Sequence, residues 1–148
     1  MIQNITLAPL TTDAIDPVFA IEQEAGDARW SRSQFEKELT LPISRFFVLR
    51  EGPNILGYGG YWKVGDEAQI TNLAVHPGAR RQGMGNRLLE HLLSLARSET
   101  CRHATLEVRS HNEAALALYR KAGFALQGRR PGAYTQPPDD AILMEKAL

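Results

Sequence analysis

Residues 68–99, AQITNLAVHPGARRQGMGNRLLEHLLSLARSE, constrain the fold more than any other stretch. AQITNLAV reads as a strand, HPGARRQ as the loop after it, and the run from Met84 as an amphipathic helix. Met84, Leu88, Leu89, Leu92, Leu93, Leu95 and Ala96 recur at intervals of three and four, which places them on one buried stripe. A second strand follows in HATLEVRS, where Leu106 and Val108 share one face and Thr105, Glu107 and Arg109 the other. Asn112 is placed to cap the next helix, EAALALYRKAG, and Gly123 to close it. FALQGRR and DAILMEKAL read as the last two strands, with the residues between them as a loop.

The front of the chain is richer in hairpins. NITLAPL reads as a first strand. A helix follows, with Asp16 as its expected N-cap and Pro17 in its first turn. In WSRSQFEKEL, Ser31 and Gln34 have capping-box spacing, and Trp30 and Phe35 hydrophobic-staple spacing. RFFVLRE and ILGYGGYWKV are strands separated by the turn GPN, and GDE turns the chain into residues 68–75. The order β-α-α-β-β-β-α-β-α-β-β predicts a mixed α/β (α+β) domain over residues 1–148, a sheet with helices packed on it.

Composition removes several classes of function. Cys101 is the only cysteine, so no internal disulfide framework forms, which suits a cytoplasmic protein. No apolar run reaches the roughly 20 residues of a membrane span. MIQNITLAPL lacks the basic and apolar blocks of a signal peptide. The formal net charge is zero, but residues 1–79 carry 6 basic and 10 acidic groups, and residues 80–130 carry 10 basic and 4 acidic. A chain without overall basic excess is ill suited to nonspecific nucleic-acid binding. A locally basic segment fits a compact polyanion, or else a solvated surface.

The loop at residues 78–86 sharpens that choice. Gly78 and Gly83 have the spacing of a nucleoside-triphosphate loop, but Met84 and Gly85 stand where Lys and Ser/Thr are required. A dinucleotide fingerprint lacks its third glycine. What remains is R-x-x-G-x-G, as Arg80, Gly83 and Gly85, between a strand and a helix. Glycines there let the backbone approach a pyrophosphate, the helix N-terminus favours negative charge, and Arg80 and Arg81 add charged donors. A tight strand-to-helix turn is the structural alternative.

LAVHPGARRQGMGNRLL and LEVRSHNEAALALYRKAGF, with the strand-turn-strand region before them, resemble the GNAT N-acetyltransferases over most of the chain. WSRSQFEKEL and DDAILMEKAL resemble in particular the bacterial ribosomal-protein-alanine enzymes of the RimI type. The resemblance implies a splayed, largely antiparallel sheet of about seven strands flanked by about four helices. It implies acetyl-CoA as co-substrate, with no metal. It places the pyrophosphate on the N–H groups of Arg81, Gln82, Gly83, Met84, Gly85 and Asn86, with Arg80 beside them. The pantetheine arm would pair with Leu73, Ala74 and Val75 as an added strand. Asn112 matches a cofactor contact, a role compatible with its N-cap reading.

Acetyl transfer to an amine requires a base for the ammonium, polarisation of the thioester carbonyl and a proton for the departing thiolate. The resemblance places the catalytic glutamate at Glu107 and the proton donor at Tyr119; a backbone N–H near Val75 is the expected donor to the carbonyl. Read alone, Glu107 is equally a surface residue paired with Arg109, and Tyr119 a core aromatic. No matched catalytic position falls on Cys101 or on His76, His91, His103 or His111. The expected acceptor is a protein N-terminus, that of a ribosomal protein beginning with alanine and carrying basic residues. Glu22, Glu24, Asp27, Glu36 and Glu38 are expected to border its groove. Two alternatives stand beside it: transfer to a small amine or an internal lysine, and a sensor that binds acetyl-CoA without turnover. The resembled enzymes often carry adjacent tyrosines after an Arg-Arg pair. This chain has Arg129 and Arg130 followed by Tyr134 alone, which leaves the acceptor open.

Overall fold

The computed structural model describes residues 4–27 and 29–148. Residues 1–3, part of the stretch read for a signal peptide, lie outside that description, as does residue 28. Strands β1 (Ile5–Pro9), β2 (Ser44–Glu51), β3 (Asn54–Val64) and β4 (Glu67–Val75) form an antiparallel meander. Helix α3 (Met84–Ser98) then crosses over to β5 (His103–Arg109), which pairs parallel to β4. Helix α4 (Glu113–Lys121) leads to β6 (Ala125–Thr135), and β7 (Pro138–Ala147) inserts antiparallel between β5 and β6. The sheet order is β1-β2-β3-β4-β5-β7-β6, so the described residues form the mixed seven-stranded arrangement with four helices that the resemblance implied.

Two layers of helix cover this sheet. Helices α1 (Ile15–Ala25) and α2 (Arg32–Glu38) pack Val18, Ile21 and Phe35 against Phe46, Val48, Tyr58 and Ala74. Along β2 the intervening Phe47 and Leu49 join the clusters built around α3. Strand alternation therefore sets α1 and α2 on one face and α3 and α4 on the other. The α3 stripe is buried as its period requires: Leu88, Leu89, Leu92, Leu93 and Ala96 are all within the core, and Leu95 packs at its margin. Each fully buried leucine stabilises the fold by roughly 1.5–3 kcal/mol.

Local chemistry fixes most helix ends. Ser31 Oγ accepts from Gln34 N–H and Gln34 Oε1 from Ser31 N–H, closing the expected capping box on α2. Trp30 and Phe35 staple its entry with ring centroids 5.4 Å apart. Asn112 Oδ1 accepts from Ala115 N–H at 3.1 Å, and Gly123, at φ 101°, ends α4.

Two expectations are corrected. Asp16 is not the cap of α1: a 3-10 turn at Thr12–Ala14 runs straight into the helix, with Ala14 at the cap position. Asp16 falls in the first turn instead, favourable to the helix dipole, and pairs with Arg32. The segment between the last two expected strands is not a loop. Strand β6 continues to Thr135, and Pro131, Gly132 and Ala133 swell out opposite the single residue Asp140, between the pairings Arg130↔Ala141 and Tyr134↔Asp139. Asp140 anchors this bulge by accepting from Gly132 N–H (2.9 Å) and Arg129 Nε (2.8 Å).

Candidate active site

The glycine loop and the end of β4 form one wall of a groove of about 640 Å³. Gly83 caps α3 in the left-handed conformation at φ 78°, and a Cβ built there would meet nothing within 4 Å. The first intrahelical bond runs from Arg87 N–H to Gly83 O, leaving the N–H groups of Met84, Gly85 and Asn86 ahead of it without intrahelical acceptors. Residues assigned to the cofactor from the sequence come together here: Leu73, Ala74, Val75, Arg80, Arg81, Gly83, Met84, Gly85, Asn86 and Asn112 all line the groove. Gln82 is the exception. The donor set, the open side of Gly83 and the groove's size fit a pyrophosphate carried on a long pantetheine arm.

The sheet opens beside this groove. Pairing of β4 with β5 covers only Glu67–Ile70 against His103–Leu106, although β4 continues to Val75 and β5 to Arg109. Over Leu73–Val75 the β4 edge that faces β5 has no strand partner among the described residues. In the gap lies a neck of about 30 Å³ whose lining includes Leu73, Leu106, Glu107, Asn112 and Tyr119. It shares Leu73, Asn112 and Tyr119 with the groove. Beyond it, sharing Asp27, Leu106 and Glu107, is a recess of about 780 Å³. Trp30 and Trp62 stack on one another, 6.4 Å apart, in its wall, which also carries Tyr134 and the carboxylates of Asp27, Glu67, Glu107 and Glu145.

Glu107 is exposed and accepts from Arg130 Nη2 at 2.5 Å, not from Arg109. Arg109 is buried elsewhere. It donates to the carbonyls of Pro137 (2.7 Å) and Gln136 (3.2 Å), and its guanidinium lies 4.2 Å from the Tyr134 ring centroid. That tie holds the β6–β7 hairpin over the recess. Tyr119 is 6% exposed; burial chiefly, then the charge of Asp27, holds its phenol well above the ordinary value of 10. Burial, with Asp27 and Glu107 next, pushes Tyr134 up to about 12. Both phenols are therefore protonated at neutral pH.

Asp27 has a larger part in this site than its place in an acidic segment suggested. It accepts from Asn112 Nδ2 at 3.0 and 3.1 Å and from Arg109 N–H at 3.3 Å, joining the α1–α2 connection to the start of α4. Its partners lie more than 80 residues along the chain, so no local pattern could find them. Glu22 anchors the same connection: Oε2 accepts from Trp30 N–H at 2.8 Å and Oε1 from the Tyr58 hydroxyl. A Cβ at Gly26 would sit 2.0 Å from Glu22 Oε1, so the backbone closes on this carboxylate only with glycine there. The expected acidic border is thus corrected. Glu22 lines the neck, and Asp27 lines both neck and recess. Glu38 is buried, accepting from Ser44 Oγ and Trp62 Nε1, while Glu24 and Glu36 face solvent away from both.

Residues 15–124 match the family model described as Acetyltransferase (GNAT) family. An Escherichia coli ribosomal protein bS18-alanine N-acetyltransferase is 34% identical over 141 residues, covering 94% of this chain and 95% of that one. An N-alpha-acetyltransferase RimI of Mycobacterium tuberculosis is 33% identical, over 97% of this chain and 93% of that one. The crystal structure of the E. coli ribosomal-protein-S18-alanine N-acetyltransferase superposes with a TM-score of 0.87 at 33% identity, covering 97% of this chain and 93% of that one. With a splayed seven-stranded sheet, a pyrophosphate-type loop and matches of this extent, the chain belongs to the GNAT family and is an acetyl-CoA-dependent N-acetyltransferase.

Proposed function

We propose that this enzyme acetylates the N-terminal α-amine of a protein, that of a ribosomal protein beginning with alanine, with Glu107 as general base and Tyr119 as general acid. The observation that carries the reading is that Glu107 and Tyr119 line one small neck between the loop-walled groove and the acidic recess. Cofactor and acceptor thus approach the two groups from opposite sides. The names of the relatives support the acceptor.

Acetyl-CoA, when bound, supplies the acetyl group as a thioester. The loop N–H groups of Arg81 and of residues 83–86, with the Arg80 and Arg81 guanidiniums, would hold its pyrophosphate, and the β4 edge at Leu73–Val75 would hold its arm. Asn112 borders the same groove, with its amide already engaged by Asp27 and the α4 cap. Glu107 takes a proton from the acceptor ammonium, exposing the nitrogen lone pair. The Val75 region supplies a backbone donor to the carbonyl oxygen. As the nitrogen bonds to the carbonyl carbon and the carbon–sulfur bond breaks, Tyr119, protonated, gives its proton to the departing sulfur, and the nitrogen's second proton restores the phenol by way of water.

An α-amine is easier to deprotonate than a lysine by about 2.5 pH units, or roughly 3.4 kcal/mol, so one carboxylate suffices for it. The recess carboxylates favour a cationic peptide by steering. Thiol release measured with alanine-starting basic peptides tests the reading. Release that requires a free α-amine is expected. Equal release from N-terminally blocked, lysine-containing peptides would overturn it.

A further inference from the structure

Asn72 lines the neck, is 6% exposed, and neither its Nδ2 nor its Oδ1 has a hydrogen-bond partner among the described residues. Buried amides are nearly always satisfied, by protein, water or ligand, so an unpartnered one beside a reaction centre has hydrogen bonds to offer to whatever enters there. The backbone directs it there. The β3–β4 register passes from Gly60↔Asn72 to Tyr61↔Ile70, leaving Thr71 as an extra residue. Without this bulge Ile70, Asn72 and Ala74 would share one face. With it, Ile70 packs in the α3–α4 cluster and Ala74 in the α1–α2 cluster. Asn72 follows Ala74, toward α1 and the acceptor side.

The neck's electrostatics name the ligand's charge. Glu22, Asp27 and Glu107 line it, and no cationic side chain does among the described residues; Glu22 is held by Tyr58 and Trp30, Asp27 by Asn112 and Arg109 N–H, and Glu107 by Arg130 from outside the neck, so the neck itself stays acidic. Its volume of about 30 Å³ admits one small polar group, a water or an amine nitrogen. We propose that the neck is an ammonium site in which Asn72 Oδ1 accepts one N–H of the acceptor's α-ammonium and presents another to Glu107. This rests on the N-terminal reading above and adds the residue that orients the nitrogen. The proton leaving the ammonium goes to the Glu107 carboxylate, and the freed lone pair points along the neck to the groove.

The test compares two peptides on the enzyme loaded with coenzyme A, which permits binding without turnover. One begins with alanine; the other carries a propionyl group in its place, the same skeleton without the amine. Calorimetry on the wild type is expected to give about a ten- to hundred-fold preference for the alanine peptide, the range of a hydrogen bond to a charged group. Asn72→Leu should cut that preference by about tenfold, with acetyl-CoA affinity within twofold. Asn72→Ser, which adds no apolar bulk, carries the test if the leucine variant does not fold. An unchanged preference in either folded variant overturns the assignment to Asn72. A wild type that binds both peptides alike overturns the ammonium site itself. A retained preference with no thiol release from the alanine peptide would instead overturn the function proposed above.

Discussion

Replacing Gly83 with valine separates the two demands placed on the loop. At φ 78° and ψ 11° the position is left-handed, which costs a residue with a Cβ about 1–2 kcal/mol. Apart from its chain neighbours, no atom of the described residues lies within 4 Å of a Cβ built there, so backbone strain is the main cost to the free protein. That predicts a fall in Tm of roughly 2–8 °C. The same open side faces the position proposed for the pyrophosphate. Valine there should also displace charge-assisted bonds from the loop N–H groups, weakening acetyl-CoA binding about ten- to hundred-fold. Gly83→Asn, which tolerates the left-handed region, should recover most of the melting temperature. Gly85 provides the contrast. It lies inside α3, and its Cβ would meet only Leu118 at 3.4 Å and Val75 at 3.8 Å. Gly85→Ala should therefore leave the free protein as stable or more so, by up to about 1 kcal/mol. Differential scanning calorimetry and calorimetric titration with acetyl-CoA read the two effects separately. A folded Gly83→Val protein with unchanged acetyl-CoA affinity would remove this loop from the cofactor site.

Three further outcomes are expected. Glu107→Gln should lower turnover by roughly 10²–10⁴-fold with little change in acetyl-CoA affinity, the deficit narrowing at high pH where more amine is already neutral; wild-type rates would refute its role as base. Burial holds the Tyr119 phenol protonated across pH 7–10, so the turnover deficit of Tyr119→Phe should be constant there, and a deficit that vanished with rising pH would exclude it as the acid. Hydrogen bonds from Ser110 first, and then from His111, hold the Asp139 carboxyl below its ordinary 3.8. Its contribution is therefore present above that value and lost as pH falls through the folded-state value. The stability gap between wild type and Asp139→Asn in denaturant titrations should shrink below pH 3.8 and stay constant above neutrality.

Features written by short-range chemistry were legible in the sequence. The α3 stripe, the Ser31–Gln34 box, the Asn112 cap and the order of elements along the chain all depend on residues a few positions apart, and all are found. The loop and β4 residues assigned to the cofactor also converge on one groove, with Gln82 outside it. What escaped depends on distant partners. Glu22 is consumed by Tyr58 and Trp30, and Glu38 by Ser44 and Trp62 across the sheet; neither pairing leaves a trace in local composition. The segment after Arg130 reads as a loop because a bulge held by Asp140 from the neighbouring strand has no local signature. The partner of Glu107 was missed for the same reason. Strand adjacency in β5-β7-β6 brings Arg130 to it, while the hairpin carbonyls draw Arg109 away.

The central claim is transfer to an α-amine, and mass spectrometry of the product peptide tests it most directly. A peptide beginning with alanine and containing an internal lysine, incubated with enzyme and acetyl-CoA, should gain one acetyl group, located by fragmentation on the first residue. The Glu107→Gln variant should give that same product at a rate lower by roughly 10²–10⁴-fold. An acetyl group found on the lysine, with the α-amine left free, would contradict the account.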